Sequence, residues 1–126
     1  MKTHSHEIQI LYDATSPRAR RTIAYAHTLS NHVKEWEYHK DPLTTTMWKQ
    51  LLTKLNLDAK QLLDKSHSFY QENVRGRTFD DEGWLNVIRR NTFLIKAPIV
   101  IKGDKAILCT NPTQLFSLLK NQVSVD

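Results

Sequence analysis

The densest apolar run in the chain, Leu94-Ile95-Lys96-Ala97-Pro98-Ile99-Val100-Ile101-Lys102-Gly103-Asp104-Lys105-Ala106-Ile107-Leu108, predicts a buried strand, a tight turn and a second strand. Pro98 cannot donate to a sheet ladder, which assigns it to a strand's first position, a place where a cis X-Pro bond commonly sits. Gly103-Asp104 supplies the hairpin turn. Near the start of the chain, Glu7 to Tyr12 places Ile8, Ile10 and Tyr12 on one side, the period of a half-buried strand. Ser16 followed by Pro17 then opens a helix, because a serine hydroxyl caps free N–H groups and proline fits the first helical position. That helix runs to about Leu29 and stops at Asn31, with Ala19, Thr22, Ile23, Ala26 and Leu29 as its inward stripe. His32 to His39 alternates again, with Trp36 and Tyr38 sharing a face, and predicts a second strand parallel to the first.

The middle of the chain changes period. Behind Asp41-Pro42-Leu43-Thr44, the residues Met47, Trp48, Leu51, Leu52 and Leu55 recur at helical spacing over Thr45 to Leu55. Asn56 separates this helix from a short one over Ala59 to Asp64. Phe69 and Tyr70 anchor another short helical turn, and Arg75-Gly76-Arg77 is loop. Thr78 to Asn91 predicts a longer helix, with Asp80, Asp81 and Glu82 at its positive end, Arg89 and Arg90 at its negative end, and Trp84, Leu85, Val87 and Ile88 inward. After the hairpin, Asn111-Pro112-Thr113 opens a last helix through Leu119. The expectation is a single α/β domain over residues 1–126, a four-stranded mixed sheet with a helical insertion at about 43–91.

Composition narrows the classes. A chain of 126 residues, 40% hydrophobic, buries a continuous core without disulfides or structural metal. No apolar run approaches the roughly 20 residues that span a bilayer, and Met1 to Glu7 lacks the apolar core of a signal peptide, so a cytoplasmic protein is expected. The single Cys109 forbids an internal disulfide and confines redox chemistry to one thiol. At the end of the run Ala106-Ile107-Leu108-Cys109, it reads first as a buried small hydrophobe. A net charge of +5 favours anionic partners, but Lys and Arg are spread along the chain and no aromatic-basic RNA-binding signature occurs, so no direct nucleic-acid contact is expected. His4-x-His6, on a terminus, reads as decoration, and no metal site is expected.

Two segments carry a resemblance. The hairpin with its leading Leu94-Ile95-Lys96-Ala97-Pro98-Ile99-Val100 resembles the Leu-Ile-x-Arg-Pro-Ile-Val pattern of the thioredoxin-fold arsenate reductase and Spx-like family. Ile10-Leu11-Tyr12-Asp13-Ala14-Thr15-Ser16-Pro17-Arg18-Ala19-Arg20-Arg21-Thr22 is similar to that family's Tyr-x-x-Pro-x-Cys-x-x-[Ser/Cys]-Arg-x-Thr motif, one residue short before Ser16. The resemblance runs from Ile10 to Leu119 and implies a thioredoxin-like fold. It aligns Ser16 with the family's nucleophilic cysteine, Ala19 with its small or second-cysteine position and Arg20 with its arginine. Its oxyanion-binding arginines fall on Ala97, on Thr110 or Asn111, and near Asp64.

Serine has no accessible thiolate and no redox couple, so these replacements argue against arsenate reduction. The resemblance then implies a catalytically degenerate member that acts by binding. Ser16, Arg18, Arg20, Ala97 and Pro98 are its candidate ligand residues, at a helix N-terminus and beside a backbone edge that an extended peptide such as glutathione could pair with. Small Ala97 in place of arginine is expected to leave that edge more open. A small oxyanion is a second candidate. Spx-like members bind RNA polymerase under stress, which raises a protein partner by analogy, with the basic residues Arg75, Arg77, Arg89 and Arg90 as contacts. The alternative is an active glutathione- or thiol-dependent reductase using Cys109. Ser16 as a plain N-cap, Arg20 in an internal salt bridge and Arg18 and Arg21 in solvent form a blander reading that stays compatible with ligand binding.

Overall fold

Alternation along the strands sends side chains to two faces, and the structure, a computed structural model describing residues 7–123 and side chains through 118, builds one core on each. Strands β1 (Ile8–Tyr12), β2 (Val33–Glu37), β3 (Ile99–Lys102) and β4 (Lys105–Leu108) form one sheet in the order β2-β1-β3-β4. β2 runs parallel to β1, while β3 is antiparallel to both β1 and β4. Ile8, Ile10 and Val100 pack on one face with Ala26 of helix α1 (Pro17–Leu29) and with Leu115 and Leu118 of helix α5 (Gln114–Val123). Leu11, Ile99 and Ile101 face the other side, against Trp48 and Leu51 of α2 (Thr45–Leu55), Tyr70 of α3 (Ser68–Asn73) and Leu85 and Ile88 of α4 (Asp81–Arg90). This is the expected mixed α/β sheet, with α2, α3 and α4 between β2 and β3.

Helix starts follow their caps. Ser16 accepts from Ala19 N–H at 3.2 Å, Thr44 from Met47 N–H at 3.1 Å and Asp80 from Gly83 N–H at 2.8 Å. The Asp80 cap places the start of α4 at Asp81 rather than at Thr78. Asn56, in the left-handed region at φ 56°, closes α2. The hairpin turns on Gly103 at φ +60°, with Lys102 opposite Lys105, the pattern of a type II′ turn whose first central position favours glycine.

Other boundaries shift for local reasons. β2 ends at Glu37, not His39, because the Glu37 carbonyl accepts from Lys40 and Asp41 N–H and its carboxylate takes the Lys40 amide, folding Tyr38 to Lys40 into a turn. The short helix after α2 is a 3₁₀ turn over Ala59–Leu62, since Leu63 leaves it to bridge Ile95. The peptide before Pro98 is trans, and α5 runs to Val123 rather than Leu119. His4 and His6 lie outside the described residues.

Topology sets what gathers at one end of the sheet. Because β1 and β2 are parallel and β3 antiparallel to them, the residues after β1, those after β2, those before β3 and the start of α1 all meet at the same end. Asp13, only 6% exposed, stands at its centre. One of its oxygens accepts from the Thr15 amide at 2.9 Å and the Thr15 hydroxyl at 2.5 Å. The other lies 3.0 Å from His39 Nε2 and 3.4 Å from the Thr92 hydroxyl. Burial alone would raise the Asp13 pKa, but the Thr15 donors and His39 outweigh it and hold the carboxyl below the usual carboxylate range.

Two outcomes are expected. Trp48, 1% exposed and stacked 5.6 Å from the Tyr38 ring, fills the centre of the larger core, so Trp48→Ala should cost about 3–5 kcal/mol in urea unfolding. A carboxyl whose folded pKa is depressed stabilises the fold above its unfolded pKa of about 3.9, and that contribution is lost as pH falls below that value and through the folded pKa. Asp13→Asn should therefore lower the urea midpoint at pH 7 and lose less further stability than the unsubstituted chain between neutral and strongly acid pH.

Candidate functional site at the start of α1

The loop Asp13-Ala14-Thr15 delivers the chain from β1 to Ser16, and its bonds set the geometry. Ser16 N–H donates to the Asp13 carbonyl at 3.0 Å, and the Ala14 amide donates to the buried Glu37 carboxylate at 3.3 Å. With that loop held from both sides, Ser16 takes the extended N-cap conformation and its hydroxyl is spent on Ala19 N–H. No His or carboxylate bonds to that hydroxyl among the described residues, so no general base is positioned to activate it.

Across from it, Arg18 Nη1 donates to the Lys96 carbonyl at 2.9 Å, which joins α1 to the segment before β3. Ser16 and Arg18 are thereby brought to the neighbourhood of Ala97 and Pro98. Lys96 N–H donates to the Leu62 carbonyl at 2.8 Å, so both backbone groups of Lys96 are in use. The edge expected to lie open beside Ala97 is closed at Lys96. Ala97 itself is buried and its own N–H and C=O make no hydrogen bond among the described residues, whereas the Pro98 carbonyl accepts from Cys109 N–H at 2.8 Å. Arg20 lies on the exposed face of α1; its N–H donates to the Ser16 carbonyl at 3.4 Å as part of the helix start, but its side chain makes no ion pair or hydrogen bond among the described residues.

The positions that the sequence resemblance set against oxyanion arginines have structural work. Asp64 accepts from the Ser66 amide and hydroxyl, and its carboxyl is held below the ordinary range by those bonds and by the nearby His67 and Arg18. Its charge also offsets that of Arg18. Asn111 caps α5 from its N-terminal side: its side-chain oxygen accepts from the Thr113 amide and hydroxyl, and its own amide donates to Gln114. The Cys109 thiol is 0% exposed and donates to the Asn111 carbonyl at 3.2 Å. Burial pushes this thiol up, and the neighbouring Thr22 hydroxyl and Asn111 backbone offset that only in part, so little thiolate is available near neutrality.

Sequence reasoning missed the Asp13 network. An acid one residue past a strand looks like ordinary turn chemistry, and only the parallel pairing of β1 with β2 brings His39, 26 positions away, onto it. The single available signal was the polar pair Asp13 and His39 just beyond two apolar-patterned strands. Among the described residues no helix is long and apolar enough to cross a membrane, and no group of three His, Cys, Asp or Glu side chains could hold a metal.

Comparisons fit this geometry. The ArsC family model matches residues 13–117, which spans the α1 loop, the helical middle and the hairpin. The fold superposes on a candidate arsenate reductase from Yersinia pestis with a TM-score of 0.78 and 25% identity, covering 88% of this chain and 99% of that one. It also matches an arsenate reductase from Vibrio cholerae (TM-score 0.78, 18% identity, 90% and 98% covered). A third neighbour is a candidate ArsC family related protein from Bacteroides fragilis (0.71, 16%, 89% and 98%). A comparison with curated proteins finds no significant match. With its family model matched over most of its length, the thioredoxin-like chain belongs to the ArsC family.

Proposed function

We propose that this chain is a catalytically degenerate member of its family that acts by binding rather than by thiol chemistry. The observation that carries the reading is the fate of Ser16: at the position aligned with the family's cysteine stands a hydroxyl that serves as a helix cap, with no base beside it. The aligned arginine positions support it, since Ala97 is buried, Asp64 carries the opposite charge and Asn111 caps a helix. The alternative reductase through Cys109 is disfavoured by a thiol that is fully buried and shifted away from thiolate.

Two features favour a ligand with peptide or thiol-peptide character at the α1 end. The Arg18 N–H remains available at the helix N-terminus, where Pro17 has none and those of Ala19 and Arg20 bond Ser16, and the backbone of Ala97 is unpaired among the described residues. Reduced glutathione or a small oxyanion fits these donors, as does an extended segment of a protein partner. A partner of the RNA-polymerase kind rests on the Spx resemblance alone, with exposed Arg75 and Arg77 as candidate contacts. A reducing, cytoplasmic setting agrees with the single unpaired thiol.

The test is an amide-resolved NMR titration with reduced glutathione, with sulfate as anion control. Saturable shifts clustered at Thr15 to Arg21 and around Ala97 are expected. Their absence at millimolar ligand would end the small-ligand reading and leave the outer surface. In parallel, a thiol probe at neutral pH should react with Cys109 only after unfolding, whereas rapid reaction of the native chain would restore the reductase reading.

A further inference from the structure

The side of the Asp13 network away from Ser16 opens into a cavity of about 420 Å³ between the end of β2, the start of α2 and the end of α4. Its wall includes His39, Asn86, Arg89 and Arg90, and its lining also includes Tyr38 and Trp48. No carboxylate lines it. Arg89 Nη1 donates to the Thr45 hydroxyl at 2.9 Å, which ties its guanidinium to the first turn of α2. The Arg90 side chain has no hydrogen bond or ion pair among the described residues and sits in the favourable field of the α4 C-terminus. His39, its side chain 58% exposed, is oriented from behind by Asp13. The Tyr38 hydroxyl is buried without a partner among the described residues, and burial with the Asp13 charge nearby keeps it a neutral donor at any ordinary pH.

These groups select one chemistry. Three side chains able to carry positive charge and an amide supply donors on an anion's scale, while the exposed Pro42 ring supplies a place for an apolar body. The larger cavity, between α2 and α4 near Lys49 and Trp84, lacks that bias: Lys49 pairs with Glu82 at 2.6 Å, Lys60 sits 5.2 Å over the Trp84 ring, and Asp58 and Asp81 complete a mixed lining. We propose that the cavity at the β2 end binds a small organic anion, its carboxylate or phosphate oxygens meeting His39, Arg89 and Arg90 and its apolar part resting on the exposed ring of Pro42. The site is separate from the α1 N-terminus and stands whether or not glutathione binds there, because its reporters are different residues.

The experiment titrates the isotope-labelled full chain with phenyl phosphate, with benzoate and with inorganic phosphate. Saturable shifts at His39, the Trp48 indole and Asn86 to Thr92 are expected with either organic anion, and weaker binding with inorganic phosphate. Arg90→Ala should weaken the organic anion by about tenfold or more, the loss of one charge-assisted hydrogen bond, while Arg21→Ala on the exposed face of α1 leaves it unchanged. Arg90 is exposed, so its replacement leaves the core intact. The proposal is overturned if neither organic anion saturates, if inorganic phosphate binds as tightly, or if Arg21→Ala weakens binding as much as Arg90→Ala.

Discussion

The Asp13 carboxylate is the constraint on which this end of the molecule depends. It is one buried anion with four donors, two from Thr15 in its own loop, one from His39 beyond β2 and one from Thr92 before β3. Strand pairing alone would bring these three segments to one end of the sheet without fixing their relative positions. A buried charge demands its partners, because leaving any donor unmade costs the desolvation of the group. The loop that presents Ser16 and the wall of the anionic-ligand cavity are therefore held by opposite sides of the same side chain.

On the proposed reading, that arrangement lets a family scaffold persist without thiol chemistry at the start of α1. The helix N-terminus needs a cap, and serine at position 16 supplies one. The segment before β3 needs fixing to α1, and Arg18 does so through the Lys96 carbonyl. Asp64 turns its own loop while offsetting Arg18. Each of these residues is employed by the fold. What is left for ligands is backbone at Ala97, the Arg18 N–H and the positively lined cavity behind His39.

Much of this was legible in the residues. The Ser16-Pro17 cap, the α2 stripe around Trp48 and Leu51 and the Gly103-Asp104 turn each depend on local chemistry, and local chemistry is written in neighbours. The hairpin and the β1 loop together sufficed to identify the family. What the sequence could not carry were contacts between distant segments: His39 on Asp13, Arg18 on Lys96, and the Arg89 and Arg90 wall facing Tyr38. The same limit hid the closure of the edge at Lys96, since its occupant Leu62 lies more than thirty positions upstream. The β2 boundary failed for a related reason, because the alternation through His39 was real but the Glu37 carboxylate captured the turn.

The most direct measurement is arsenate reduction by the purified full chain with glutathione supplied as reductant, compared with the same mixture lacking protein. The proposed reading, with a capping Ser16 aligned to the family's cysteine and the one thiol buried, predicts no turnover above the protein-free rate. Turnover that disappears in Cys109→Ala, a change the fold can absorb at a small buried position, would contradict a binding role and make the buried thiol the working group.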